Sequence, residues 1–151
     1  MRRLAFVLTV LVLTVLSQIG GAVLILAWVL GRAVLPNGQL RGLAILALFA
    51  VLYAAATLAV VPPLAALAGR VPLPCRAEPG HSVTAGSPLY CLLNRNYVGP
   101  RLVPLLDTLA AALDQAHPGT VTLYLDASFP FLDGMPLAPH LSQHLLNPIG
   151  A

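Results

Sequence analysis

The sequence has little charge, and two long stretches of it have none. Asp, Glu, Lys and Arg make up 9% of the 151 residues, against about 25% in an ordinary soluble protein. Residues 4–30 and residues 42–61 contain no Asp, Glu, Lys, Arg or His. A water-soluble helix keeps one polar face, so this lack excludes an ordinary soluble fold for the first half of the chain. It also argues against a transporter subunit, because ionisable residues within the spans usually mark an ion or substrate path.

Lysine is absent, and the eight basic residues, all Arg, are scattered along the chain. With a formal net charge of only +3 and no clustered basic patch, the sequence gives no support for a nucleic-acid partner. Most of the Arg residues flank apolar runs, where we interpret them as anchors at the membrane ends. We attribute the lack of Lys to compositional bias.

What the chain does contain is apolar sequence long enough to cross a bilayer. A hydrocarbon core about 30 Å thick needs roughly 20 apolar residues of helix, and both uncharged runs provide them. We predict a first transmembrane helix over 4–30, a loop over 31–41, and a second transmembrane helix over 42–61 with a kinked extension to 68. The expected fold class is a membrane α-helical hairpin followed by a small α/β region. The expected location is the cell (inner) membrane, with several passes and the lipid bilayer as partner.

Local signals in the first run leave two questions open. Arg2 and Arg3 precede an apolar stretch, and small residues follow near Gly20, so a cleaved secretory signal is an alternative. The return of apolar residues from Val23 favours an uncleaved span. Small residues four apart, such as Ser17 with Gly21, would let helix backbones approach closely, although chance spacing is favoured in so Ala-rich a sequence.

Cysteine is scarce, and the two cysteines lie in the polar part of the chain, at Cys75 and Cys91. A disulfide between them would stabilise a small domain by about 3 kcal/mol and suits an oxidising compartment. Two unpaired thiols are the other interpretation. The distribution of Arg residues between the loops would instead place both termini in the cytoplasm, so the side of the C-terminal region is undecided.

The polar remainder divides into a Pro/Gly-rich linker over 69–88 and a small α/β region over 89–151. We predict a short strand over 89–98 that enters a turn at Asn94-Arg95-Asn96, a helix over 100–116 and a strand over 120–126. The helix has one apolar face, and the strand alternates between apolar and polar residues. The apolar residues are Leu102, Leu105, Leu106, Leu109 and Leu113 on the helix, and Val121, Leu123 and Leu125 on the strand.

Few residues of this region are candidates for chemistry. Asp126 follows a strand, where α/β folds often place working residues, but a cap on the next turn is favoured, and pairing with Asp133 for acid and base work is not assured. His140 and His144 have a spacing used by zinc ligands, yet surface histidines are favoured, as for His81 in the linker. We assign no catalytic, cofactor-binding or metal-binding residue.

Three segments carry a resemblance to a known group. Residues 92–98, Tyr124-Leu125-Asp126-Ala127 and residues 129–142 resemble uncharacterised bacterial membrane proteins with two N-terminal spans and a C-terminal extracytoplasmic domain. The end of that domain is similar to the zinc-binding box of murein endopeptidases and D-Ala-D-Ala peptidases. The resemblance implies a zinc-dependent cell-wall peptidase, but the Gly and Asp that would follow the His-Leu-Ser of this box are missing after Ser142.

These patterns lead to one main expectation and one alternative. The main one is an integral membrane protein of structural or interaction type, without catalysis or a cofactor of its own. Its C-terminal region looks incomplete, because one helix and one strand cannot close a two-layer core, so a helix–helix or domain-completing protein partner is expected. The alternative is a truncated or frame-shifted form of a membrane-anchored zinc peptidase-like protein.

Overall fold

The computed structural model of the protein describes residues 2–34, 38–76 and 83–132. These residues form two compact units, divided between residues 56 and 57. The first unit is made of apolar helices. The second contains the end of an apolar helix and a small mixed α/β region. The described chain is therefore mostly helical, with a small α/β region, as the composition predicts.

The first uncharged run forms two helices, α1 (Arg2–Ser17) and α2 (Gly20–Val34), and not the single helix predicted over 4–30. Gln18 adopts a left-handed backbone conformation with φ of 57°, which cannot continue a right-handed helix. The Ser17 hydroxyl donates to the Leu13 carbonyl at 3.2 Å and accepts from the Gly20 amide at 3.0 Å. The Ser17 side chain thus forms hydrogen bonds both at the end of α1 and at the beginning of α2.

Glycine allows α1 and α2 to pack backbone against backbone. A Cβ atom on Gly21 would lie 2.0 Å from the Thr14 hydroxyl and 2.6 Å from the Val10 carbonyl oxygen. At the far end of the pair, the Phe6 and Trp28 rings lie 5.2 Å apart between centroids. The two helices therefore run antiparallel, and the small residue noted at position 21 is a site of close helix approach.

The third helix, α3 (Gln39–Ala55), packs on α2 in the same antiparallel way. A Cβ atom on Gly31 would lie 2.4 Å from Cγ1 of Ile45. Arg41, in the first turn of α3, donates from Nη2 to the Arg32 carbonyl oxygen at 3.2 Å. This bond satisfies one of the carbonyls that a helix leaves without a partner at its C-terminal end.

Helical structure continues through a π-helical turn (Ala56–Val60) into α4 (Val61–Leu67). Pro62 and Pro63 lack amide protons and crowd the preceding turn, and a wider π turn at that place accommodates them. The helix ends in a Schellman motif at Gly69, which has φ of 71°. The Arg70 amide donates to Ala65 and the Gly69 amide to Ala66.

Residues Leu40–Leu67 form the one helix, among those described, that is long and apolar enough to cross a membrane. Helices α1 and α2 contain 16 and 15 residues, fewer than the roughly 20 that a full crossing needs. The sequence predicts two spans, whereas one helix among the described residues meets the length criterion.

The α/β region contains two small sheets. Strand β1 (Val71–Pro72) pairs antiparallel with β3 (Tyr97–Val98), and β2 (Val83–Ala85) pairs parallel with β4 (Thr122–Tyr124). Helix α5 (Pro88–Leu92) and helix α6 (Leu102–Ala116) lie between β2 and β4 in the sequence.

Two predicted boundaries differ from these elements. The segment predicted as a linker over 69–88 holds β1 and β2, so its described residues, 69–76 and 83–88, belong to the folded unit. The strand predicted from residue 89 begins instead with α5, because Ser87 accepts a hydrogen bond from the Leu89 amide at 3.3 Å and Pro88 occupies the first helical position.

The apolar faces of α6 and β4 point outward. On α6, Ala110 is buried and Asp107 and Asp114 are half-buried, whereas four leucines are exposed. On β4, Thr122 and Tyr124 face inward. The exposed residues are Leu102, Leu105, Leu109 and Leu113 of α6, with Val121, Leu123 and Leu125 in and beside β4. The polar contacts described below, and not hydrophobicity alone, therefore determine which side chains of α6 and β4 are buried.

Candidate functional site

Three consecutive polar residues, Asn94, Arg95 and Asn96, are buried in the second unit, with 1%, 5% and 5% of their surface exposed. They lie between α5 and β3. Buried polar groups are expensive unless they are hydrogen-bonded, and each of the three side chains bonds a different part of the chain. We refer to residues 94–96 as the polar tie.

Arg95 forms the ionic part of the polar tie. Its Nε donates to Oδ1 of Asp126 at 3.1 Å, and its Nη2 forms a second, short bond with Oδ2. The two side chains are 6% and 0% exposed. The Arg95 guanidinium also lies 5.5 Å from the ring centroid of Phe129, which is itself buried. A forked pair of this kind fixes both the distance and the plane of the two groups.

The two asparagines extend the polar tie to other segments. Asn94, with φ of 55°, donates from Nδ2 to the hydroxyl of Thr57 at 3.2 Å, within the π turn. Asn96 donates from Nδ2 to the Leu73 carbonyl oxygen at 3.1 Å. The backbone carbonyl oxygen of Asn96 accepts from the Leu73 amide at 2.7 Å. The end of the apolar helix, the segment after β1 and the end of β4 therefore meet at residues 94–96.

A disulfide joins Cys75 and Cys91, with an S–S distance of 2.08 Å and a Cα–Cα distance of 6.0 Å. Of the two interpretations of the cysteines, the structure has the bonded one. The Nδ2 atom of Asn96 lies 3.5 Å from the Cys75 sulfur, so the disulfide adjoins the polar tie.

Tyr124 approaches the disulfide from β4. Its hydroxyl donates to the Pro74 carbonyl oxygen at 2.9 Å and lies 3.6 Å from the Cys91 sulfur. Burial raises the pKa of Tyr124 to about 12 and also raises the pKa of Tyr97, while it lowers the pKa of Arg70. The phenol of Tyr124 is therefore held in its neutral, donating form.

The other candidates from the sequence have different outcomes. Asp126 is buried and pairs with Arg95, because a buried carboxylate needs a cation beside it. Asp133, His81, His140 and His144 lie outside the described residues. Within the described ranges, no group of three or more His, Cys, Asp or Glu side chains could hold a metal ion.

Sequence reasoning missed Arg95, which was interpreted only as part of a turn. The available signal was its setting: a lone cation between the apolar pairs Leu92-Leu93 and Tyr97-Val98. Charged residues in such a setting are rarely buried unless paired. The identity of the partner carboxylate could not be read from spacing.

No protein-family model, curated protein or solved structure matches this chain. The resemblance to zinc peptidases therefore stays a prediction. The geometry by itself shows a structural cluster, in which hydrogen bonds, an ion pair and a disulfide hold four segments of the second unit together. These segments contain Thr57, residues 73–75, residues 91–96 and Asp126.

Proposed function

We propose that this chain is an integral membrane protein of structural or interaction type, in which apolar helices anchor a small disulfide-bonded α/β unit at the membrane surface. The observation that carries the proposal is the exposure of the helix Leu40–Leu67. Only 6% of its most apolar 18-residue window is buried inside the protein. A core helix of a soluble protein would be covered by its own chain, whereas lipid can cover this one.

The first predicted span, over 4–30, takes a modified form in this proposal. Helices α1 and α2 would each be about 22–24 Å long at 1.5 Å per residue, shorter than a core of about 30 Å. We propose that they enter the bilayer as an antiparallel hairpin and return to the same side. The tight packing of Gly21 on α1 supports this hairpin.

This arrangement removes the conflict between arginine distribution and cysteine chemistry. Arg2 and Arg3 begin α1, Arg32 ends α2 and Arg41 begins α3, so all four would lie on one side of the membrane. The rule that cytoplasmic loops are rich in Arg and Lys assigns this side to the cytoplasm. A single crossing then places the Cys75–Cys91 disulfide outside, in an oxidising compartment.

The polar tie supports a structural role for the second unit. It connects the π turn of the anchoring helix, through Asn94, to the disulfide and to the end of β4.

The outward leucines of α6 support the interaction part of the proposal, because an apolar face of this kind is unusual on a protein that works alone in water.

Carbonate extraction and thiol labelling of the full chain in bacterial membranes test the proposal together. The chain should stay in the pellet after a carbonate wash. In intact spheroplasts, a membrane-impermeant maleimide should label Ala112→Cys, on an exposed position of α6, and should label Ala33→Cys only after permeabilisation. Release by carbonate would refute the membrane anchor, and the reverse labelling pattern would refute the orientation.

A further inference from the structure

Helix α6 carries exposed apolar side chains whose spacing is the same when it is read from either end. The intervals between them are three, four, four and three positions. Residues three and four apart lie on one face of a helix, so these side chains form one stripe along α6. They are Leu102, Leu105, Leu109, Leu113 and Ala116, all of them exposed. We refer to these five residues as the leucine stripe.

A stripe that is symmetric about its central residue is complementary to an antiparallel copy of itself. With Leu109 of two such helices face to face, each Leu105 lies opposite a Leu113, and each Leu102 lies opposite an Ala116. A two-fold symmetric interface needs this kind of self-complementary surface, and apolar residues at these spacings form the seam between packed helices. We propose that the leucine stripe binds the leucine stripe of a second copy of this chain. The proposal rests on the interaction role proposed above and names the partner.

The charges of α6 favour the antiparallel arrangement. Asp107 and Asp114 are half-buried on the side of the helix away from the stripe, so two carboxylates do not meet at the symmetry axis. Arg101 is exposed at the N-terminal end of α6, where the helix dipole disfavours a cation. In the antiparallel pair this arginine lies beside the C-terminal end of the other α6, whose last turn has no basic residue of its own. The free carbonyl oxygens at that end attract a cation.

The proposed interface is small, because one short helix from each copy forms it, whereas a standard complex buries about 800 Å² per partner. We therefore expect a dissociation constant in the micromolar range. Anchoring both copies in one membrane raises their effective concentration. Because dimer formation stabilises the folded chain in a concentration-dependent way, the stability of α6 variants is compared on chain diluted below the dissociation constant.

Thiol cross-linking of the full chain in micelles of an uncharged detergent tests the register, with the native cysteines occupied by their disulfide. A short maleimide cross-linker should join Leu109→Cys to itself, because the two copies of this position meet at the axis. It should not join Leu105→Cys to itself, since its two copies lie about 12 Å apart along the helix axes. In a mixture of differently tagged chains, it should join Leu105→Cys to Leu113→Cys. Ala111→Cys, exposed on the opposite side of α6, is the matched control and should not cross-link.

Sedimentation equilibrium in the same micelles measures the affinity. Leu109→Glu brings two carboxylates together at the symmetry axis and should weaken dimer formation at least about tenfold. Ala111→Glu makes the same charge change away from the stripe and should dimerise as the native chain does. Arg101→Gln removes only the contact with the helix end and should weaken dimer formation by about two- to fivefold.

Three results would overturn the proposal. The first is a native chain that stays monomeric at every concentration, and the second is native dimerisation in Leu109→Glu, which would place the contact on another surface. The third is an apolar environment for a bimane label on Leu109→Cys in monomeric chain, which would mean that lipid or residues 133–151 cover the stripe. Failure of the dimer is distinguishable from failure of the anchor, because carbonate extraction tests the anchor separately and Leu109→Glu should still pellet.

Discussion

Arg95 and Asp126 form a forked ion pair in the interior of the second unit, although they are 31 positions apart in the sequence. The pair joins the loop before β3 to the end of β4. With Asn94 and Asn96 on either side, the same short segment also bonds Thr57 and Leu73. Residues 94–96 therefore hold together parts of this unit that are far apart in the sequence.

Loss of the Asp126 carboxylate should strongly destabilise the second unit. Asp126→Ala leaves the Arg95 charge buried without its partner, which costs about 3–5 kcal/mol. The free energy of unfolding can be measured by pulse proteolysis in urea on the full chain in detergent micelles.

Asp114→Ala is the matched control for this variant. Asp114 is half-buried and accepts one solvent-exposed hydrogen bond from the Gly119 amide, so its removal should cost no more than about 1 kcal/mol. Equal losses in the two variants would mean that the ion pair contributes nothing beyond an ordinary surface bond.

The disulfide should contribute to the stability of the same unit. Replacing both Cys75 and Cys91 by Ser reopens a loop of 16 positions and should lower the free energy of unfolding by about 3 kcal/mol. In the native chain neither thiol should react with a maleimide until a reductant is added. A native chain that labels without reduction would contradict the bond, whatever the stability of the variant.

Properties that depend on composition or short spacing could be predicted from the sequence. Uncharged runs predict helices with exposed apolar surface, and Leu40–Leu67 is such a helix. Two cysteines in a small polar region leave a bridge as one of two interpretations, and Cys75 and Cys91 form it. The mostly helical fold with a small α/β region follows from the same patterns.

Features that depend on contacts between distant residues could not be predicted. The break at Gln18 requires the close fit of Gly21 on Val10 and Thr14, and hydropathy alone does not distinguish a long helix from two short ones. Periodicity defined the faces of α6 but not which one is buried. The interior contains polar groups such as Asp126 and Tyr124, so the general rule that leucines face inward does not hold for α6.

The outward orientation of the α6 leucines should appear in the stability of point variants. Leu105 and Leu109 are 65% and 51% exposed, whereas Ala110 is 1% exposed. Leu105→Gln and Leu109→Gln should change the free energy of unfolding by less than about 0.5 kcal/mol. Ala110→Leu should lower it by about 1–3 kcal/mol through overpacking. Pulse proteolysis applies here too, and a loss of stability in the Gln variants as large as that in Ala110→Leu would show the leucines facing inward.

Ionisation of Tyr124 should lower the stability of the second unit at alkaline pH. Its pKa of about 12 lies above the ordinary value near 10, so folding favours the neutral phenol. Its contribution to stability is complete below pH of about 10 and is lost as the pH rises towards about 12. Tyrosinate absorbance of the full chain should show a late titration step that loses the share of one tyrosine in Tyr124→Phe, while the share of Tyr97, whose pKa burial also raises, remains. A late step of unchanged amplitude in Tyr124→Phe would mean that the Tyr124 hydroxyl is open to solvent.

The hairpin of α1 and α2 should depend on the absence of a side chain at position 21. Any Cβ atom there would overlap the Thr14 hydroxyl at 2.0 Å and the Val10 carbonyl oxygen at 2.6 Å. Since the overlap includes backbone, rotation of one side chain cannot relieve it, and Gly21→Leu should drive the helices apart.

A thiol pair placed at the other end of the hairpin measures this separation. In a chain carrying Phe6→Cys and Trp28→Cys, a short thiol cross-linker should join α1 to α2, while the native cysteines are occupied by their disulfide. Addition of Gly21→Leu should abolish the cross-link, whereas Ala22→Leu, on the adjacent exposed position, should preserve it. Cross-linking that persists in Gly21→Leu would require α1 and α2 to meet through another face. The assignment of all four N-terminal arginines to one side of the membrane would then lose its structural basis.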